Sequence, residues 1–122
     1  MKSRESVVRL KRFQVEEKRR QVQQIEGMIA EFDRMSNELD MQISAEQERT
    51  GIFDASHFAY STFARAAMQR RDNLKASADE LRQQHDGALE ELTAAEEELE
   101  KMELLAERDH GRERPEKSER VA

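Results

Sequence analysis

A seven-residue repeat of aliphatic side chains governs the first half of the chain. Val8, Val15, Val22, Ile29 and Ile43 fall at position a of a heptad, and Ile25, Phe32 and Leu39 at position d. Ser36 is the polar a position between Val22 and Ile43, and Met28 and Met35 widen the stripe at g. Such spacing makes one helix bury a narrow seam against another. The seam weakens toward the start, where Lys11 and Lys18 occupy d. A second tract carries Ala64, Ala78, Leu92, Leu99 and Ala106 at a. It has Tyr60, Ala67, Leu74, Leu81, Ala88, Ala95 and Met102 at d. Its alanines allow two backbones to approach closely, while Arg71 and His85 interrupt position a.

The two tracts are out of phase with any single continuous helix, and "RTGIFDAS" lies between them. Gly51 suits a helix C-cap, and Asp54 or Ser56 suits the following N-cap. The prediction is all-α: a long antiparallel two-helix coiled-coil hairpin over residues 1–108. One helix covers about 5–49, a turn about 50–54 and a second helix about 55–108. Residues 109–122, with Pro115 and mostly charge, are expected to form a flexible, disordered tail. Charge supports an antiparallel register. Residues 1–20 hold eight Lys/Arg and three Glu, a net of +5, whereas residues 79–109 hold twelve Asp/Glu and three Lys/Arg, a net of -9. With Arg49 facing about residue 55, Arg9 is expected near Ala95, Arg12 near Leu92 and Arg19 near His85.

The 122 residues are 39% charged and 36% hydrophobic, so one domain with a thin core is expected. The formal net charge of -6 argues against nucleic-acid binding. The basic start followed by heptads looks superficially like a leucine-zipper DNA reader. However, Val7, Val8, Leu10, Phe13 and Val15 give that segment an apolar stripe, which calls for another helix. Cysteine is absent, and no run has signal-peptide or bilayer-spanning length. The expected compartment is the cytoplasm, with no direct membrane insertion.

A two-helix hairpin has almost no interior in which catalytic groups could converge, so no enzyme activity is expected. Ser56 and His57 are adjacent, but no third group holds them. Glu107 and His110 form a single Glu-x-x-His, whereas a di-iron bundle needs two such pairs with further glutamates. There is no glycine-rich phosphate loop, and no cofactor or metal is expected. His85, in the seam, reads as a half-solvated structural histidine, with pH sensing as the alternative.

"GIFDASHFAYSTFARAAMQRRDN", residues 51–73, gathers four of the six aromatics: Phe53, Phe58, Tyr60 and Phe63. On a structural reading, Phe53, Tyr60 and Phe63 seal the closed end of the hairpin. On a functional reading, Phe58 and neighbours dock on a partner, with Phe58 and Tyr60 on different sides of a helix. "RLKRFQVEEKRRQVQQIEGMIAEFDRM" and "HFAYSTFARAAMQRRDNL" resemble the flagellar export FliJ family in its alphaproteobacterial form, over roughly residues 1–108. The aromatic segment followed by "RRDNL" is the more specific part, because heptad periodicity does not require it. The resemblance implies a cytoplasmic chaperone and stalk of the flagellar type III export apparatus, peripheral to the inner membrane and serving motility. Its implied partners are the hexameric export ATPase, the cytoplasmic domain of the membrane export gate, and export chaperones. It also implies a monomer when free. By analogy with rotary stalks, Arg4, Arg9, Arg12, Arg19 and Arg20 then face the ATPase, while Phe58, Tyr60 and Phe63 lie at the gate end. A dimerising coiled-coil scaffold is the alternative.

Overall fold

The structure, a computed structural model, describes the backbone of residues 2–121 and the side chains of residues 4–111. Two α-helices, α1 (Lys2–Thr50) and α2 (Thr62–Val121), pack against each other, with no strand among the described residues. This is the expected all-α hairpin. The expected flexible tail began at residue 109, whereas α2 continues through Asp109, His110 and Gly111 to Val121; side chains are described as far as Gly111.

Glu5 in the first turn of α1 and Arg49 in its last complement the helix dipole. The helix stops at Gly51, whose φ of 76° is left-handed and whose amide donates to the Gln47 carbonyl at 2.8 Å. A Cβ at Gly51 would meet nothing within 4 Å, so the backbone angle alone favours glycine there.

The connection is longer than the sequence reading expects. It covers residues 51–61, and α2 begins at Thr62 rather than near residue 55. The cause is the spending of Asp54. Its Oδ1 accepts from the Ser56 amide at 2.9 Å and the Ser56 hydroxyl at 2.7 Å, which closes a local turn. Ser61 takes the cap instead, its Oγ accepting the Ala64 amide at 3.2 Å.

The chain divides into two compact units, one of Met1–Gln23 with Asp86–Ala122, the other of Gln24–His85. In the first, Val8, Val15, Val22 and Ala88 are buried. Around them α1 supplies cations and α2 carboxylates. Arg4 meets Asp109 at 2.8 Å, Lys11 meets Glu98 at 3.5 Å and Arg12 meets Glu103 at 3.2 Å. Lys18 meets Glu91 at 3.0 Å and Arg19 meets Glu96 at 3.4 Å. The lysines that weaken position d are therefore ion-paired. The expected apolar stripe is corrected: Leu10 and Phe13, at c and f, stand exposed on the outside of the helix.

In the second unit Ser36, Ile43, Tyr60, Ala64, Ala67, Ala78 and Leu81 are buried. Here the polarity reverses. Glu26 meets His85 at 3.0 Å, Asp33 meets Arg82 at 2.6 Å and Asp40 meets Arg71 at 2.9 Å. Arg71 and His85 interrupt the seam only in name, since each has a carboxylate from α1. With alanine at so many seam positions, no bulky side chain among the described residues is fully buried, and each buried valine is worth about 1.5–3 kcal/mol at most.

These pairs correct the expected register. Arg12 meets Glu103 rather than lying near Leu92, and Arg19 meets Glu96 rather than lying near His85. Glu26 and Asp40 reach His85 and Arg71, each seven residues further along α2 than a hairpin with α2 starting near residue 55 would allow. A shift of one heptad leaves the seam positions in phase, so hydrophobic pattern cannot detect it. Charge can. A slide back by seven would put Gln84 opposite Lys18, Leu89 opposite Arg19, Ala78 opposite Glu26 and Ala64 opposite Asp40. Each exposed pair contributes about 0.2–1 kcal/mol; Lys11, Arg12 and Asp33 would find Glu91, Glu96 and Lys75 after the slide, so the pairs that are lost favour the observed register.

Candidate functional site

The loop between the helices is built from short local bonds. The His57 amide donates to the Asp54 carbonyl and the Tyr60 amide to the His57 carbonyl, both at 3.0 Å, so two turns follow each other. The Ser56 hydroxyl and amide hold the Asp54 carboxyl below its usual range. At the start of α2, the Ser61 hydroxyl donates to Glu46 Oε2 at 2.7 Å. The Arg49 guanidinium and this hydroxyl hold the Glu46 carboxyl below its ordinary value.

The four aromatics separate into two roles, and the division differs from the expected one. Tyr60 alone seals the seam. It is 5% exposed, its hydroxyl accepts from Gln47 Nε2 at 2.8 Å and lies 3.4 Å from Met68 Sδ, and Arg65 sits 5.6 Å over its ring. That burial removes Tyr60 from any docking face. Phe53 and Phe63, expected to help seal, are exposed at 62% and 55%. Phe58 is 94% exposed, on the loop rather than on a helix, with its ring stacked on His57 at 4.7 Å between centroids. Phe53, Phe58 and Phe63 therefore present apolar surface to solvent.

The basic candidates lie in the other unit and are mostly engaged. Arg4 and Arg12 pair across to α2, Arg19 pairs with Glu16 and Glu96, and Arg20 pairs with Glu17 at 2.7 Å. Arg9 is exposed and makes no ion pair among the described residues. Beside it stand Leu10 and Phe13, exposed apolar residues that the sequence reading assigned to packing. Their signal was legible: both fall off the a and d positions. A shallow groove of about 250 Å³ opens between Val8 and Ala106, rimmed by Glu5, Arg9 and Arg12.

No group of three metal-ligating side chains occurs among the described residues, and His110 instead meets Glu5 at 3.7 Å. No described helix is long and apolar enough to cross a membrane. In comparisons with family models, curated proteins and solved structures, nothing matches this chain.

Proposed function

We propose that the chain is an interaction protein, not an enzyme: a cytoplasmic stalk and chaperone component of the flagellar type III export apparatus. In this reading the unit carrying both terminal arms engages the hexameric export ATPase. The interhelical loop docks on the cytoplasmic domain of the membrane export gate, and export chaperones are further partners. The observation that carries the reading is Phe58, 94% exposed on a loop whose backbone is tied down by local hydrogen bonds. A loop serving only to close the hairpin needs Tyr60 and gains nothing from a rigidly presented phenylalanine. The resemblance of residues 57–74 to the FliJ family supplies the identity of the partner. Arg9, with Leu10 and Phe13 beside it, supports a second contact surface at the terminal arms.

A dimerising scaffold is the second reading. It is favoured by an open groove of about 190 Å³ lined by Met35, Leu39 and Leu74 together with Glu38, Gln42 and Arg70. Solution mass separates the two, since the stalk is a 14.3 kDa monomer and the scaffold is not. The docking reading is tested with Phe58→Ala. Helicity and melting should be unchanged, while gate binding and motility in a strain depending on this chain should fall. Motility falling only in proportion to folded protein would reduce the loop to a closure.

A further inference from the structure

One titratable group in the loop sits in a geometry that a single protonation state satisfies. The Ala59 amide donates to His57 Nδ1 at 3.0 Å. An accepting ring nitrogen carries no proton, so the imidazole is neutral with its hydrogen on Nε2. In this pose the ring lies against Phe58, inclined by 22°. Phe58 is otherwise surrounded by solvent, and among the described residues His57 is its aromatic partner.

A proton on Nδ1 would point at the Ala59 N–H, donor against donor, and the bond would be lost. The carboxylate held in the same turn is that of Asp54. The Asp54 carbonyl already holds the His57 amide at 3.0 Å, and its carboxylate is kept ionised by Ser56 and responds to a charge on His57. On the flanking helix ends, Arg49 pairs with Glu46 and Arg65 lies over the face of Tyr60.

We propose that His57 is a proton-operated latch on the presentation of Phe58. Neutral, it is fixed to the Ala59 amide and backs the phenyl ring. Protonated, it turns toward the Asp54 carboxylate and releases that ring. Loop docking is then strongest with His57 neutral and weakens as His57 takes up its proton. The functional meaning rests on Phe58 as a docking residue, while the latch itself is a property of the chain alone.

The test is a pH titration of the isotopically labelled full chain by NMR. At the basic end the His57 ring should report the Nε2–H tautomer. As the pH falls, the Ala59 amide proton should move upfield, the direction of a lost hydrogen bond. The Phe58 ring protons should follow the same curve, while the titrations of His85 and His110 leave both in place. His57→Gln should remove the pH response of Ala59 and Phe58. An Nδ1–H tautomer at the basic end, or Ala59 and Phe58 signals that do not follow His57, overturns the latch. Gate binding by Phe58→Ala equal to that of the unmodified chain overturns the docking reading instead, whatever the titration shows.

Discussion

Glu46 of α1 accepts the Ser61 hydroxyl at 2.7 Å, and Ser61 in turn accepts the Ala64 amide at 3.2 Å. One serine thus starts α2 and ties it to the last turns of α1. Ser61→Ala should cost about 0.5–2 kcal/mol, the usual range for a lost N-cap. Asp54→Ala, which removes only a local turn, should cost less. Thermal melts followed by circular dichroism compare the two, and a larger loss for Asp54→Ala would return the helix start to the position expected from sequence.

The register has its own test. Cysteines at Lys18 and Glu91, an ion pair at 3.0 Å, should be joined within one chain by a short bifunctional reagent. Cysteines at Lys18 and Gln84, one heptad away, should not. Efficient joining of the second pair would mean that the charge ladder does not fix the register.

Ser36 is 3% exposed and its hydroxyl has no hydrogen-bond partner among the described residues. An unsatisfied buried hydroxyl costs about 1–3 kcal/mol. Ser36→Ala should therefore be neutral or stabilising by up to about 1 kcal/mol, read as a rise in the denaturant midpoint. Ile43→Asp, at a buried seam position, should unfold the hairpin, because the charge finds no partner there.

Much of this was legible in the sequence. The heptads place Val8, Val15, Val22, Ile43, Ala64, Ala67, Ala78, Leu81 and Ala88 in the seam, and they are buried. The basic start of α1 does lie along the acidic part of α2 in the unit that contains both. Two things were not legible. A seven-residue error in register leaves the hydrophobic pattern unchanged, so the register rests on charge matching pair by pair and on the choice among Asp54, Ser56 and Ser61 as cap. Propensity does not rank those three. The split among the aromatics was hidden for a related reason. Placing the helix start near residue 55 put Phe53 at the turn and Phe58 on a helix. In the loop, Tyr60 is the one aromatic that reaches the seam.

Protonation should loosen the loop at low pH. The carboxyls of Asp54 and Glu46 are held below their ordinary values, Asp54 by Ser56 and Glu46 by Arg49 and Ser61. Groups shifted in this direction contribute stability that is present above the unfolded carboxylate pKa, about 4, and is lost as pH falls through their lower folded values. Tyr60 fluorescence should be flat from neutral pH to about 4 and change below it. Combining Asp54→Asn with Glu46→Gln should flatten the acid limb. An acid transition unchanged in the double variant would place its origin elsewhere.

The aromatics are separated by truncation. Tyr60→Phe should lower stability by about 1 kcal/mol, the worth of its hydrogen bond with Gln47. Tyr60→Ala should cost several times more, since it also empties the seam. Phe58→Ala should leave the melting temperature unchanged.

The most direct measurement of the stalk reading is whether the immobilised full chain retains a purified hexameric flagellar export ATPase. Retention is expected, together with stimulated ATP hydrolysis and a free chain that sediments as a 14.3 kDa monomer. Replacing Arg9 with Glu and Phe13 with Ala should weaken retention without loss of helicity, the charge change acting more strongly at low salt. A chain that retains no ATPase at any salt concentration and sediments as a dimer would contradict the stalk reading and leave the scaffold in its place.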